Sequence, residues 1–384
     1  MASNVVSPMP LGHRSYLKWS IAAVLRHSEY HARCDAPSAF NDNYEKTVNK
    51  TSRRRIDVHF HSVPPSYRAA IEGLGPSVRT PDWTPQLALD FLDEHESAAG
   101  IMSLSVPGTH LGDSAKARSL ARRCNEESAE YVALHPQRLG AFGTVPLPDI
   151  DGACEAACYA LDVLKLDGIG LFASYNGRYL GDPSWDCLLE LLNQRSAVCH
   201  IHPNTHPSVH VVRDGGINAG IPNFMAEYLF DTTRAALNLL FYDILDRYPK
   251  IRFILSHAGG TLPYIAWRVA SIVHRQVGVA PMKTQYPSQF VQQHGDDLTP
   301  NAVLSRLKLF WYDTALSPGP QTLGSLLAVA DPERILFGGD WPYCPSVLVG
   351  DMIDALHDNP LLSEAQIDSI ERGNALKLFP RFTQ

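Results

Sequence analysis

The chain has 384 residues, of which 45% are hydrophobic and 19% are charged, and its formal net charge is -7. This composition is typical of a globular protein with a sizeable core, and the acidic balance argues against a nucleic-acid partner. No run approaches the roughly 18 consecutive apolar residues of a membrane span, so no membrane partner is expected.

Residues 1–52 differ from the rest because they lack a sustained apolar period. The apolar piece at residues 16–25 is too short and begins too late for a secretory signal. A mitochondrial transit peptide stays open as an alternative, since basic residues outnumber acidic ones around that piece. We expect residues 1–52 to form a poorly ordered extension or a short helix, and residues 53–384 to form one folded domain.

Seven cysteines are present, without a Cys-x-x-Cys pair or a regular framework. Cys154 and Cys158 are four residues apart in a stretch with a helical pattern, where such side chains are neighbours. We interpret the cysteines as buried or half-buried residues of a reduced, cytoplasmic protein.

From residue 55 onward, short apolar runs alternate with helix-length stretches of mixed polarity. Eight runs are rich in Ile, Val, Leu and Phe, near residues 55–61, 100–107, 139–146, 168–174, 197–203, 251–257, 307–314 and 334–340. Alternating strands and helices predict a parallel α/β sheet. Eight strands of continuous hydrophobicity predict closure into a (β/α)8 TIM-like barrel. The long stretches 206–230 and 278–300 are interpreted as loops that shape a pocket.

The first run carries Asp57, His59 and His61. Alternate residues of a strand point to the same face, so the two imidazoles on either side of Phe60 can reach one point. Two neutral imidazoles that converge in this way are typical of a metal chelate. Asp57 lies on the same face one pleat deeper, and we interpret it as a supporting acceptor in preference to a deeper ligand.

Three later runs also end in a residue that can bind a metal, at His202, His257 and Asp340. Functional groups of a (β/α)8 barrel lie at the carboxyl ends of its strands, so these side chains should meet His59 and His61 there. One histidine in such a place is more often a hydrogen-bonded core residue, but five groups at the same end favour a metal centre. Nitrogen and carboxylate ligands favour Zn²⁺, and Mn²⁺ is the alternative.

Six segments together resemble the amidohydrolase-related metal-dependent decarboxylases, the family of aminocarboxymuconate-semialdehyde decarboxylase. They are residues 57–61, 82–84, 201–203, 255–263, 312–315 and 336–342. The Ser-His-Ala-Gly-Gly and Gly-Gly-Asp-Trp-Pro runs are quite specific together, and the resemblance extends from about residue 56 to residue 379.

The resemblance implies that His59, His61, His202 and Asp340 bind one divalent metal ion, with His257 beside it. It implies no organic cofactor, a small aromatic carboxylate as substrate, and a homodimer. The implied reaction is the nonoxidative loss of CO₂ from an ortho-hydroxy aromatic carboxylate. Fungal members suggest 6-methylsalicylate, which would give m-cresol in polyketide secondary metabolism.

In that reaction Asp340 would act as the general acid that protonates the ring, and His257 would orient the substrate or handle the proton. Trp83, Trp341 and Phe60 are candidate apolar walls for the aromatic ring, although core packing explains each of them at least equally well.

Two other functions stay open on the sequence. A mononuclear metal-dependent amidohydrolase or lactonase would use the same ligands, with Asp340 as the general base for a metal-bound water. Residues 168–174 lack the lysine that bridges two metals in many hydrolases of the superfamily, which favours a mononuclear centre and decarboxylation. A catalytically inactive binding barrel is disfavoured because both histidines of the chelate are present.

Overall fold

The computed structural model describes residues 55–75, 79–204, 222–275 and 299–383. Its main sheet has eight parallel strands, each paired with its neighbour in the chain. These strands are β1 (Arg55–His61), β2 (Ser97–Ser103), β3 (Leu139–Gly143), β4 (Gly168–Phe172), β5 (Val198–His202), β6 (Arg252–Leu255), β7 (Trp311–Asp313) and β8 (Ile335–Leu336).

The sheet closes on itself where the chain after β8 meets β1. The backbone N–H of His61 donates to the carbonyl of Trp341 (2.7 Å), and the N–H of Asp340 donates to the carbonyl of His59 (2.7 Å). The predicted (β/α)8 barrel is therefore confirmed. The same bonds bring Asp340 beside the two histidines of β1.

Helices follow the strands and cover the outside of the barrel. The α-helices of the described ranges are α1 (Pro65–Glu72), α2 (Pro85–Glu94), α3 (Ser114–Leu134), α4 (Ile150–Cys158), α5 (Asp186–Gln194), α6 (Glu227–Phe241), α7 (Ile244–Arg247), α8 (Leu262–Arg275), α9 (Pro300–Leu307), α10 (Pro320–Leu327), α11 (Ser346–His357), α12 (Glu364–Asp368) and α13 (Asn374–Leu378). None of them combines the length and the apolar character that crossing a bilayer would require.

Local sequence signals set several of these helix starts. The side chain of Asp113 accepts the N–H of Lys116 (2.9 Å) at the start of α3, and Asp149 accepts the N–H of Gly152 (3.1 Å) at the start of α4. Such caps satisfy backbone donors that have no partner inside the helix.

The two faces of β1 contact different parts of the protein. Phe60 points towards the helices, where its ring stacks on Trp341 (5.2 Å between centroids) and lies 5.8 Å from Phe91 of α2. A Cβ on Gly100 of β2 would lie 2.8 Å from the Phe60 ring, so this packing needs glycine there. The opposite face carries the histidines into the barrel.

The C-terminal segment packs at the amino ends of the strands. The ring of Phe379 lies 5.9 Å from that of Phe142 in β3, and Arg381 donates to the carbonyl of Leu139 (2.9 Å) and to the carboxylate of Asp167 (2.6 Å). Contacts at this end stabilise the fold, and the carboxyl ends remain for function.

Some predictions need correction, and others fall outside the described residues. The loop predicted over 206–230 is wrong at its end, because α6 begins at Glu227. Strands β7 and β8 are shorter than predicted, since α9 extends to Leu307 and β8 ends at Leu336. The extension 1–52 and nearly all of the loop at 278–300 lie outside the described residues.

Candidate metal centre

The four residues predicted to bind a metal lie together at the carboxyl end of the barrel. Ligand atoms of His59, His61, His202 and Asp340 all lie within 4.8 Å of one another. Oδ1 of Asp340 is 2.9 Å from Nε2 of His61 and 3.2 Å from Nε2 of His59. All four residues are buried, but Asp340 and His202 keep exposed fractions of 8% and 5%. The cluster is therefore accessible to solvent from the side on which Asp340 and His202 lie.

Hydrogen bonds at the far nitrogen orient two of the rings. Nδ1 of His61 lies 3.3 Å from the carbonyl of Ser103, and Nδ1 of His202 lies 2.7 Å from the carbonyl of Pro203. A carbonyl can only accept, so the His202 ring carries its proton on Nδ1 and presents the lone pair of Nε2 to the cluster. Nδ1 of His61 also lies 3.1 Å from the Ser103 hydroxyl, and its Nε2 likewise faces the cluster. Burial and the neighbouring His61 and His59 hold the pKa of His202 well below its usual value, so this ring stays neutral.

Asp313, at the end of β7, orients the third ring, and the sequence analysis assigned it no role. Its Oδ2 accepts from Nδ1 of His59 (3.0 Å) and from Nε2 of His200 (3.1 Å). Its Oδ1 accepts the backbone N–H groups of His257 (2.9 Å) and Ala315 (3.1 Å). One carboxylate thus fixes a ligand ring and anchors the chain after β6.

The pKa of Asp313 shows that this carboxylate is charged. Burial by itself would raise its pKa, but the charge of His59 and the hydrogen bonds from His200 and His59 outweigh burial and lower it. The pKa of His200 is lowered to about 4, chiefly by burial, so His200 is a neutral donor.

His257 lies beside the four-residue cluster, as the family resemblance implied. Its ring centroid is 4.9 Å from that of His59 and 6.1 Å from that of His202. Nδ1 donates to the carbonyl of Ala315 (3.1 Å), which leaves Nε2 as an acceptor. Burial and the charge of His59 lower the pKa of His257, so its ring is neutral.

The donor atoms fit a divalent cation. Nε2 of His59 and Nε2 of His61 are 3.2 Å apart, and both rings use Nδ1 for another bond, so both Nε2 atoms are placed to bind one ion in exchange for a proton. Two nitrogens bound to one tetrahedral Zn²⁺ at 2.0–2.1 Å would be about 3.3–3.4 Å apart, which is close to this spacing. Burial would lower the pKa of His59, but the charges of Asp313 and Asp340 raise it to about 10. The site thus attracts positive charge, which a metal ion would supply.

The backbone at the two strand ends is strained. Asp340 has a φ of 61° and His257 a φ of 53°, in the left-handed region that costs non-glycine residues about 1–3 kcal/mol each. The N–H of Asp340 bonds to the carbonyl of His59, and its own carbonyl accepts the N–H of Cys344 (2.8 Å). These bonds hold the conformation that aims the Asp340 carboxylate at the imidazoles.

Asp57 lies outside the ligand cluster and supports the backbone below it. Its Oδ1 accepts the N–H groups of His59 (3.0 Å) and Gly339 (3.0 Å), and its Oδ2 has no partner among the described residues. Burial raises the pKa of Asp57 to about 8, so its carboxyl is mostly neutral at pH 7. The supporting role of Asp57 stays a prediction, and the structure shows that its carboxyl contacts backbone groups and no imidazole.

The three candidate wall residues have the ring contacts of core packing, the alternative that the sequence left open. Phe60 and Trp341 stack on each other, and Trp341 also stacks on Phe91 (4.8 Å). Trp83 lies 5.4 Å from Tyr131 of α3.

A different set of aromatic rings borders the cluster, and the sequence analysis missed it. Tyr343 lies 5.2 Å from the ring of His61, and Tyr228 and Phe172 lie 6.3 and 6.1 Å from that of His202. Burial raises the pKa of both tyrosines, so their hydroxyls are neutral. Phe172 ends β4 and Tyr343 follows β8, so their places at strand ends were the available signal. We call Tyr343, Tyr228 and Phe172 the aromatic rim.

The chain matches the sequence profile of the amidohydrolase family over residues 56–381. It is 35% identical over 336 residues to the 6-methylsalicylic acid decarboxylase of Penicillium expansum, covering 85% of this chain and 96% of that relative. A crystal structure of an amidohydrolase II superposes with a TM-score of 0.74 at 28% identity, over 85% of this chain and 99% of the other. The structure of 2,6-dihydroxybenzoate decarboxylase with 2,6-dihydroxybenzoate gives a TM-score of 0.67 at 25% identity, over 85% and 99%. The chain therefore belongs to the amidohydrolase family.

Proposed function

We propose that the protein is a metal-dependent carboxy-lyase that removes CO₂ from an ortho-hydroxy aromatic carboxylate, with 6-methylsalicylate to m-cresol as the favoured reaction. The observation that carries the proposal is the convergence of three imidazoles and one carboxylate beneath an aromatic rim. The relative named for 6-methylsalicylic acid matches 85% of the chain, which makes this acid the first substrate to test.

His59, His61, His202 and Asp340 would hold one divalent ion. The nitrogen-rich donor set favours Zn²⁺, with Mn²⁺ as the alternative. When bound, the ion would attract the carboxylate and the ortho oxygen of the substrate and favour the phenolate. No organic cofactor is needed in this scheme, because the protonated ring accepts the electron pair of the C–C bond that breaks.

Asp340 would carry the proton. Burial would raise its pKa, but the charge of His59 and hydrogen bonds from His59 and His61 hold the pKa well below its usual range. Asp340 therefore begins as a carboxylate and must first receive the proton that it delivers. The ortho hydroxyl of the substrate is a suitable source, and the ring carbon that bears the carboxylate is the destination. The electrons of the breaking C–C bond then restore the aromatic ring as CO₂ leaves, and the resulting phenolate takes one proton from water to give the phenol.

His257 and the aromatic rim would orient the substrate. Nε2 of His257 would be free to accept the ortho hydroxyl proton and pass it on to Asp340, because Nδ1 is held by Ala315. Tyr343 and Tyr228 offer ring faces and neutral hydroxyls near His61 and His202, which suits a flat, partly apolar ring.

The reaction is tested by incubating the purified, metal-loaded protein with 6-methylsalicylate and measuring m-cresol and CO₂. The matched control substrate is 2-methylbenzoate, which lacks the hydroxyl and should release no CO₂. If the protein opens lactones and leaves a panel of hydroxybenzoates intact, the hydrolase alternative replaces this proposal.

The metal site is tested by elemental analysis of the purified protein. The wild type should hold about one divalent ion per chain, and a His59→Ala/His61→Ala double variant should lose it. His110→Ala, which changes a histidine whose side chain bonds to Ser114, is the control and should retain the ion. Full retention by the double variant would contradict the chelate.

A homodimer is also part of the proposal. Helix α8 exposes Tyr264 and Trp267 by 84% and 65%, and large exposed aromatics three residues apart on one helix are typical of an interface. Light scattering should give twice the chain mass for the wild type and the monomer mass for Trp267→Glu. A monomeric wild type would exclude the dimer without affecting the proposed chemistry.

A further inference from the structure

Two cysteine thiols meet on the outside of the barrel, away from the residues of the metal centre. Cys154 lies in α4, and Cys187 is the second residue of α5. Their Sγ atoms are 3.5 Å apart, with the Cys154 thiol directed at the sulfur of Cys187. This distance is a van der Waals contact, so no other atom fits between the two sulfurs.

Both thiols are accessible, and of the accessible thiols in the described residues, which include the half-buried Cys158, these two have sulfurs in contact. Cys187 is exposed and Cys154 is half-buried, whereas Cys124, Cys199 and Cys344 are buried. A disulfide has an S–S distance of about 2.0 Å, so the sulfurs must approach by roughly 1.5 Å. Rotation about the Cα–Cβ bond can move Sγ by more than this distance.

We propose that Cys154 and Cys187 form a reversible thiol–disulfide site, oxidised by a small disulfide of the glutathione type and reduced by small thiols. The sequence predicts reduced cysteines, and the decarboxylation scheme uses none of them. The new bond would join α4 to α5, the helices that follow β3 and β4.

The exposed Cys187 is the first thiol to react. Its thiolate attacks one sulfur of the small disulfide, and one small thiol leaves with the proton that Cys187 lost. Burial and the hydrogen bond to Cys187 raise the pKa of Cys154 to about 12, so Cys154 is a poor first nucleophile.

Cys154 completes the bond. Its sulfur attacks Cys187 in the mixed disulfide at contact distance, and the second small thiol leaves with the Cys154 proton. Two protein thiols are thus oxidised by two electrons, and one small disulfide is reduced to two thiols.

Cys158 provides a matched control because it lies one helical turn after Cys154. Its Sγ accepts a hydrogen bond from the Arg195 guanidinium (3.4 Å), which also pairs with Asp162 (2.6 Å). Cys158 is therefore held by a different partner, and its replacement should leave the proposed bond intact.

The test treats the reduced full-length protein with oxidised glutathione, blocks free thiols, and maps tryptic peptides without reduction. Trypsin separates the two sites into peptides 139–165 and 179–195. We expect these peptides to appear joined, with a mass lower by two hydrogens than their sum, and to separate on reduction. Cys158→Ser should keep the link, and Cys154→Ser and Cys187→Ser should remove it, while all three variants unfold cooperatively like the wild type.

Three outcomes would overturn the proposal. One is a link that Cys158→Ser removes and Cys154→Ser retains. Another is glutathione bound to Cys187 without closure to a link. The third is full recovery of both thiols at every ratio of oxidised to reduced glutathione.

Discussion

Replacement of Asp313 by asparagine tests how far the metal affinity depends on a side chain outside the four-ligand cluster. Asp313 accepts from the rings of His59 and His200 with one oxygen, and from the N–H groups of His257 and Ala315 with the other. Asparagine keeps the shape of the side chain but offers one acceptor atom and two donors.

The asparagine amide can accept from only one of these two pairs of donors, either the two ring N–H groups or the two backbone N–H groups. If its oxygen keeps the backbone pair, its NH₂ group faces Nδ1 of His59, which then has to become the unprotonated nitrogen. The proton of His59 moves to Nε2, where it opposes metal binding. Loss of such a supporting contact costs 10- to 100-fold in metal affinity, or about 1.4–2.7 kcal/mol.

The assay is competition for Zn²⁺ against a chromophoric chelator, with the activity at saturating metal as a second readout. Asp57→Asn is the matched control, since Asp57 is also buried and also accepts two backbone N–H groups, but touches no imidazole ring. The pKa of Asp57 is raised to about 8, so asparagine changes little charge there at pH 7. Equal affinity losses in both variants, or no loss in Asp313→Asn, would refute the reasoning.

Three further predictions follow from the same geometry. Asp340→Asn should lower kcat by about 10²- to 10⁴-fold while substrate binding, measured by calorimetry, persists; a near-normal rate would exclude Asp340 from proton transfer. Phe60→Leu should cost about 1–2 kcal/mol in urea unfolding with KM unchanged, because its ring packs in the core, and a raised KM with full stability would assign it to the pocket instead. Asp231, whose pKa burial raises from 3.8 to about 6, stays protonated in the folded state while the unfolded chain ionises. Its stabilisation is full below pH 4 and is lost as pH rises through 6, so the wild type should lose about 3 kcal/mol relative to Asp231→Asn over this range; parallel pH profiles would contradict this.

The barrel was predictable because each strand is marked by a run of several residues and does not depend on any single one. Each strand is a short run of apolar residues bounded by Pro, Gly or a polar loop, and eight such runs suffice to predict a closed parallel sheet. The ends of β7 and β8 were less predictable, because apolar residues such as Phe310 and Phe337 continue past the ladder. Apolar character reports burial, which extends beyond the hydrogen bonds that define a strand.

The site was predictable where residue type and strand position agree. His59, His61, His202 and Asp340 are metal-binding types at strand ends, and the structure brings them together. Asp313 also ends a strand, but its role depends on which ring it faces across the barrel. The sequence does not give the direction of this side chain.

Phe60, Trp341 and Trp83 stay a prediction as substrate walls, although their ring contacts are those of core packing. Phe60 and Trp341 adjoin the metal-binding residues in sequence, and that proximity suggested a place in the pocket. Neighbours on a strand point to opposite faces, so Phe60 had to face the helices if His59 and His61 face inward. Tyr343 and Tyr228 of the aromatic rim are farther from the ligands along the chain, and their rings lie 5.2 and 6.3 Å from those of His61 and His202.

The charges of the buried carboxyls explain why a divalent ion suits this centre. The pKa of Asp313 and that of Asp340 are lowered, so both are anionic, while the pKa of Asp57 is raised to about 8 and leaves it mostly neutral. His59 is protonated while its pKa is about 10, and a metal ion at its Nε2 would take the place of that proton. The two anions would then have a charge that one divalent cation balances. An ionised Asp57 would add a third negative charge that no side-chain partner among the described residues compensates, and burial of an uncompensated charge is costly. The backbone bonds of Asp57 therefore position the strand ends without disturbing the charge balance on which metal binding depends.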